Sequence, residues 1–369
     1  VGYDVDVATM LAEKIGVPVE FTDVSGDARV SMLVSGQLDV VVANTSATLP
    51  RARAVSFSIP YNRAGLRVIA QTDSDIDTIA HLTRYDSTHG RFVGTVEKGV
   101  ECLRINGDEI AVSHCTALRD VDWSRHNIDV VLECSGTLGS EAALHEHLER
   151  GARHVLLSQP GEASIPTYVF GLNHHGLTSE QRVISNASCT TNGITPVIDV
   201  LHQAFGVRSG CITTIHSAMN DQPVLDAYHH TDLRKTRAAG MSMIPVDTGL
   251  AAGIGRILPD LDGRFAARAV RIPTHNVSAM ELSVTLQSRV SPSDVNAALQ
   301  MAARGRLSAV LGVSEEPLAS CDFNHDPRSG IVDAGQTRVA DELVSVFTWF
   351  DNEWGYANRM LDMVAHWLH

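Results

Sequence analysis

Apolar positions recur along this chain in two rhythms. From Asp4 to Ile15, the residues Val5, Val7, Ala8, Leu11, Ala12 and Ile15 return at helical spacing. Val17 to Phe21 alternates as a strand does, and Ala28 to Ser35 returns to the helical period. Leu38 to Ala43 and Gly65 to Ala70 are largely apolar strands, with a turn beginning at Arg51 to Val55. The first 72 residues therefore predict an α/β lobe. Farther on, short strands between Phe92 and Val112 flank the hairpin turn Asn106-Gly107-Asp108. Ile128 to Gly136 reads as a buried strand ending in small polar residues, followed by a helix over Ser140 to Arg150 and a strand over His154 to Ser158. Strands at Arg268 to Pro273 and Glu281 to Leu286, a helix at Pro292 to Ala303 and an amphipathic helix over 354–369 complete the pattern. There is no internal repeat and no low-complexity stretch.

One stretch breaks from apolar strand to apolar helix through a polar knot: Val183-Ile184, then Ser185-Asn186-Ala187-Ser188-Cys189-Thr190-Thr191-Asn192-Gly193, then Ile194, Val197, Ile198, Val200 and Leu201 at helical spacing. Cys189 thus falls at a helix N-terminus, where the helix dipole favours a thiolate and unpaired backbone N–H groups can hold an oxyanion. A core cysteine needs no such polar neighbours. A second strand end, Thr213-Thr214-Ile215-His216-Ser217-Ala218-Met219-Asn220-Asp221-Gln222, supplies a base. The pairing predicts a thiol nucleophile activated by an imidazole from an adjacent strand end.

Composition narrows the function classes. The chain has 369 residues, enough for two or three domains, and a mean hydropathy of zero, typical of soluble proteins. A net charge of −14 argues against nucleic-acid and anionic-membrane partners, so an anionic substrate must be held by local arginines. Six scattered cysteines without a C-x-x-C spacing fit a reducing compartment, and no run suits a membrane span. No metal-ligand spacing stands out. The opening Val1-Gly2 reads as mid-protein, without initiator Met or signal peptide.

Ser188-Cys189-Thr190-Thr191-Asn192 with His216 resembles the phosphorylating glyceraldehyde-3-phosphate dehydrogenase superfamily, as do Pro245-Val246-Asp247-Thr248-Gly249, Val270-Arg271-Ile272-Pro273-Thr274 and Trp349-Phe350-Asp351-Asn352-Glu353-Trp354-Gly355-Tyr356. His216-Ser217-Ala218-Met219, Ala227-Tyr228-His229-His230 and Asp322-Phe323-Asn324-His325-Asp326-Pro327 are most similar to its D-erythrose-4-phosphate dehydrogenase branch. The resemblance runs from about Ala80 to the C-terminus. It implies an NAD-binding Rossmann-type domain over 79–188, an α+β catalytic domain with a largely antiparallel sheet over 189–351, and a C-terminal helix over 352–369 that packs on the cofactor domain. By the same resemblance, Cys189 and His216 are catalytic. Thr248, Gly249 and Arg271, with Arg234, Ser188 and Thr190, would bind a small phosphorylated aldehyde. Ser135, Gly136 and Ser158 would line the nicotinamide of NAD, and Asn352 would orient its carboxamide. A cytoplasmic homotetramer is the family's usual form. Two departures stand out. Met219 replaces a phosphate-binding Thr, which favours the erythrose-4-phosphate branch and release of the acid by water. Gly193 replaces a second Cys.

The front of the chain resembles something else, the first lobe of a periplasmic amino-acid-binding protein of an ABC transporter. The matching words are Gly2-Tyr3-Asp4-Val5-Asp6-Val7-Ala8, Ser35-Gly36-Gln37-Leu38-Asp39-Val40-Val41, and Thr48-Leu49-Pro50-Arg51 with Phe57-Ser58-Ile59-Pro60-Tyr61. A carboxylate would fall to Ser46, Thr48 and Arg51, but the second lobe that closes such a site is absent. The two resemblances meet at Ala80-His81-Leu82, and a lobe over 1–78 is expected. No G-x-G-x-x-G occurs anywhere. The expectation is a truncated dinucleotide domain with weakened NAD affinity, because the glycine turn and helix N-terminus that hold the pyrophosphate are missing. The alternatives are a polar amino-acid-binding component of a transporter, or a non-functional fusion.

Overall fold

The computed structural model describes residues 3–22, 24, 28–42, 67–70, 75–115, 117–229 and 232–368. The chain divides into two units, residues 1–67 and 68–368. In the first, α1 (Tyr3–Ile15) and α2 (Arg29–Val34) form where the apolar spacing predicts them. Of the strands predicted for the first 72 residues, Gly65 to Ala70 appears as a strand over Arg67–Ala70, and the other two do not. Residues 17–21 and 38–42 are irregular, with Val17, Val19, Phe21 and Val40 between 41% and 56% exposed. Alternation supplies a face, but a strand also needs a neighbouring strand to take its N–H and C=O groups; among the described residues none pairs with these, and the N–H groups of Val17 and Leu38 bond back to Ala12 and Met32 of the preceding helices. Ser46, Thr48 and Arg51 lie outside the described residues.

In the second unit, β1 (Arg67–Ala70) and α3 (Ile76–Arg84) precede a short hairpin of β2 (Tyr85–Asp86) and β3 (Gly90–Arg91). β4 (Val96–Lys98), β5 (Cys102–Ile105) and β6 (Asp108–His114) follow, and the sheet order is β1-β6-β5-β4. The β5–β6 turn has Asn106 and Gly107 at φ of 53° and 92°, the left-handed pair that a two-residue hairpin requires. Asp75 caps α3, whose Ile76, Ile79 and Ala80 pack on Val96, Leu103, Ile110 and Val112. Ala80-His81-Leu82, where the two resemblances meet, therefore lies inside one continuous helix.

β7 (Val130–Glu133), β8 (His154–Leu157) and β9 (Val183–Ser185) form a parallel sheet in chain order, crossed by α4 (Glu141–Glu149) with Ser140 as its N-cap. This is the dinucleotide-domain architecture, with β7 at its outer edge.

The rest is built on a seven-stranded sheet. Its elements are α5 (Cys189–Phe205), β10 (Val207–His216), β11 (Ile244–Val246), α6 (Leu250–Ile257), β12 (Phe265–Arg271), β13 (Ser278–Leu286), α7 (Pro292–Arg304), β14 (Leu311–Ser314), β15 (Gly330–Ala340) and β16 (Leu343–Phe350), in sheet order β11-β12-β10-β13-β16-β15-β14. All neighbours are antiparallel except β10–β12 and β14–β15. Ile194, Val197, Ile198 and Leu201 of α5, Ile254 of α6 and Leu299 of α7 share one core with Ile212, Met280, Leu282, Val346 and Phe350. α8 (Trp354–Trp367) returns to the parallel sheet, seating Met360, Met363 and Trp367 on Leu156, Tyr168 and Ile184. The fold is thus α/β with a large, mostly antiparallel catalytic sheet, as expected.

Gly193 lets α5 lie close on this sheet. A Cβ there would stand 2.8 Å from Met280 Cε and 2.9 Å from the Ser329 carbonyl, and one at Gly330 would stand 2.6 Å from the Gly193 carbonyl. The space that a cysteine would need at 193 is already filled. Gly193→Cys is expected to destabilise the fold by about 1–3 kcal/mol, the usual cost of overpacking. Thermal melts of the two proteins at one pH check this.

Candidate active site

β9 ends at Ser185, and the chain turns through Ala187, which is buried at a left-handed φ of 56°. A non-glycine residue there costs on the order of 1 kcal/mol, so the surroundings must hold it. The Tyr356 hydroxyl donates to the Ala187 carbonyl at 2.9 Å from α8. Ser188 caps α5, its Oγ accepting from Thr191 N–H at 3.1 Å and bonding the Thr190 and Thr191 hydroxyls at 2.9 and 2.8 Å. The Ser188 and Thr190 hydroxyls are therefore engaged within the turn. Cys189 opens the helix, with the backbone N–H groups of Thr190 and of Cys189 itself directed at its sulfur.

His216 ends β10, 5% exposed, with its ring edge-on to Phe350. Its Nε2 lies 3.9 Å from Cys189 Sγ. The two strand ends are not adjacent, as the sequence reading supposed. β9 and β10 belong to different sheets, and α5 brings the thiol to the imidazole.

Behind the ring, His216 Nδ1 is 2.9 Å from the Ser217 carbonyl and 2.8 Å from Arg271 Nη1. A guanidinium only donates, so the arginine contact needs a bare Nδ1 while the carbonyl contact needs Nδ1–H. The second tautomer leaves Nε2 free to take a proton from the sulfur.

Burial pushes the Cys189 thiol up to about 11, against the pull of the Thr190 N–H and the Arg271 guanidinium. Burial, aided by Arg271, holds His216 down to about 4, against the Ser217 carbonyl and Asp221. Both directions favour a thiol beside a neutral imidazole, so burial works against the helix dipole that the sequence reading credited with a thiolate.

Asp221 was missed by the sequence reading. It pairs with Lys235 at 2.7 Å and acts electrostatically on both His216 and Arg271. Only its position five residues after His216 could have pointed to it. Arg271 Nε is buried without a partner, an open donor for an anion. Thr248 Oγ1 accepts from Leu250 N–H at 3.2 Å, and Gly249 is the N-cap of α6, with open space where a side chain would be. Arg234 is exposed on the surface between Leu233 and Pro245, and no contact joins it to Cys189, His216 or Arg271.

Ser135 and Gly136 follow β7, with Gly136 at φ 74°, and Ser158 follows β8. Ser217 and Ser278 donate to Asn352 Oδ1 at 3.0 and 2.8 Å, leaving its Nδ2 open. These residues fit the nicotinamide end of a dinucleotide, through small side chains at parallel strand ends and one fixed amide. No glycine turn for the pyrophosphate occurs in the sequence. Among the described residues no His, Cys, Asp and Glu cluster could hold a metal, and no helix is long and apolar enough to cross a membrane.

A thiol at a helix start, an imidazole in reach and a parallel nucleotide-domain sheet fit the class of NAD-dependent oxidoreductases. The chain carries both domains of the glyceraldehyde 3-phosphate dehydrogenase family: the NAD binding domain matches over residues 52–141 and the C-terminal domain over 188–352. The second match runs from Ser188 to Asn352 and so contains Cys189, His216 and Arg271. The first begins ahead of the expected boundary near residue 79. The cofactor is NAD, and enzymes of this type bind small phosphorylated aldehydes.

His174 is a second histidine held down to about 4 by burial and by His175 and His366, and its Nδ1 accepts the Gly171 N–H at 3.1 Å. Both His174 and His216 have folded values below the unfolded 6.5, so the unfolded chain binds more protons between pH 6.5 and 4. Stability is expected to be complete above pH 6.5 and to fall as pH drops through that window, by at most about 3 kcal/mol per histidine. Denaturant titrations from pH 7 to 4 check the sign.

Proposed function

We propose that the chain oxidises erythrose 4-phosphate to 4-phosphoerythronate with NAD. Cys189 Sγ adds to the aldehyde carbon as its proton passes to His216 Nε2 and on to the new oxygen, giving a hemithioacetal. The α5 N-terminal amides face that oxygen. His216 then takes the hydroxyl proton as the carbonyl re-forms as a thioester; the oxidising power for this step would come from NAD held against Ser135, Gly136, Ser158 and Asn352. Water, activated by His216, releases the acid and returns the thiol. Arg271, through its open Nε, and Thr248 and Gly249 recognise the substrate's phosphate, with Arg234, Ser188 and Thr190 in lesser roles. Ser135, Gly136, Ser158 and Asn352 receive the nicotinamide.

One observation carries the choice of acceptor. Met219, in the turn that follows His216, has no hydroxyl with which to hold a second phosphate, and the nearby Asp221 carboxylate is already paired with Lys235 at 2.7 Å. A second anion gains no hydrogen bond from position 219, which leaves water as the nucleophile. Erythrose 4-phosphate should therefore be oxidised at the same rate with and without added phosphate, and faster than glyceraldehyde 3-phosphate. A rate that requires phosphate would overturn this choice while leaving the oxidoreductase class intact.

We also propose a homo-oligomer. Val224, Leu225, Tyr228, Leu233, Met241 and Met243 are each at least 75% exposed on one stretch of chain, an apolar surface of the kind that subunits cover. Sedimentation analysis tests this. The six free cysteines fit the reducing cytoplasm.

A further inference from the structure

Ser217 and Ser278 are buried, at 0% and 1% exposure, and their hydroxyls are turned to neither the Cys189 sulfur nor the His216 ring, which of these two serines meets only the Ser217 carbonyl. Their hydroxyls converge on one atom, Asn352 Oδ1. Ser278 Oγ already accepts the Ser217 N–H at 3.0 Å, so its own hydrogen must be donated. The hydroxyls lie 3.4 Å apart, a poor contact for disposing of both hydrogens. Buried O–H groups need acceptors, and Asn352 Oδ1 serves both. Turning the amide over would aim an NH2 group at two hydroxyls and strand at least one O–H in a dry site, at the penalty of an unmade buried hydrogen bond. The loop is also held from the other side. Asp351 accepts from the N–H groups of Glu353 and Trp354 and from the Asn276 side chain, one residue before buried Val277 at φ 61°.

We propose that Ser217 and Ser278 are positioning residues that lock Asn352 as a donor-only group, so that it recognises the carbonyl oxygen of the nicotinamide carboxamide and not its NH2. The inference rests on the reading of Asn352 as the carboxamide ligand. A cofactor ring bearing any 3-carbonyl group satisfies this contact; the amide nitrogen is not read here. Ser217 directly follows His216, so the same turn that places the base also sets the orientation of the ring that will receive the hydride.

The test uses the full chain and equilibrium binding, followed by ligand-observed NMR up to millimolar concentration, of NAD+ and its 3-acetylpyridine analogue, which keeps the carbonyl and lacks the NH2. The unmodified protein should bind the two within about threefold of each other. In the Ser217→Ala/Ser278→Ala double variant the amide can turn and accept from the NH2, so the preference for NAD+ should rise about tenfold, a typical hydrogen bond's worth. Ser217→Thr and Ser278→Thr keep the hydroxyls and should restore the original ratio, which loss of folding could not do. Strong rejection of the analogue by the unmodified protein, or an unchanged ratio in the double variant, overturns this proposal alone. Binding of neither molecule overturns it together with the placement of the nicotinamide.

Discussion

Replacing Cys189 with serine should lower NAD-dependent aldehyde oxidation by a factor on the order of 10⁴ to 10⁶, as removal of a covalent nucleophile does. The loss should appear in kcat more than in KM, because the sulfur contributes to the covalent steps and little to holding the phosphate. Its partners should stay in place, since Cys189 sits at the helix edge and the N-cap bond belongs to Ser188. Reduced-cofactor formation at saturating aldehyde measures the rate. Mass spectrometry after mixing with aldehyde measures the adduct on the unmodified chain. Equal rates in both proteins would remove Cys189 from the chemistry.

His216→Asn should lower the rate by about 10²- to 10⁴-fold, the usual worth of a positioned general base. The thiol of the unmodified protein carries a second expectation. Burial raises its pKa to about 11, so the thiolate fraction grows only as pH climbs through the alkaline range. The rate of Cys189 alkylation by iodoacetamide should therefore keep rising well above pH 9, with no plateau near neutrality. A plateau reached below pH 7 would mean that sulfur and imidazole rest as an ion pair, and would sink the account of a proton transferred during attack.

Much of the site was legible because its local signals are strong. The polar knot between two apolar runs could only be a strand-to-helix turn, and it placed Cys189 at the helix start. Asn106-Gly107 announced its hairpin, and the period of 354–369 its helix. What failed was whatever depends on a neighbour. Alternation at 17–21 and at 38–42 could not say whether a second strand lay alongside. The contact of Arg271 with His216 follows from the parallel register that sets those two residues opposite each other on β12 and β10, which no local pattern encodes. Ser278 is likewise carried to Ser217 by the antiparallel pairing of β13 with β10. The environment of the thiol was half legible for a related reason: the sequence displays a helix dipole but not the depth of burial that opposes it.

α5 is rooted in the core of the large sheet, and His216 ends a strand of that same sheet, so Cys189 and His216 are both held by that sheet. Under the proposed mechanism, addition to a carbonyl should not depend on how firmly the other half grips a dinucleotide. A chain that lost its hold on the oxidant would keep its sulfur competent for addition. It would capture aldehydes reversibly and stoichiometrically, as a scavenger that loads and unloads without turning over.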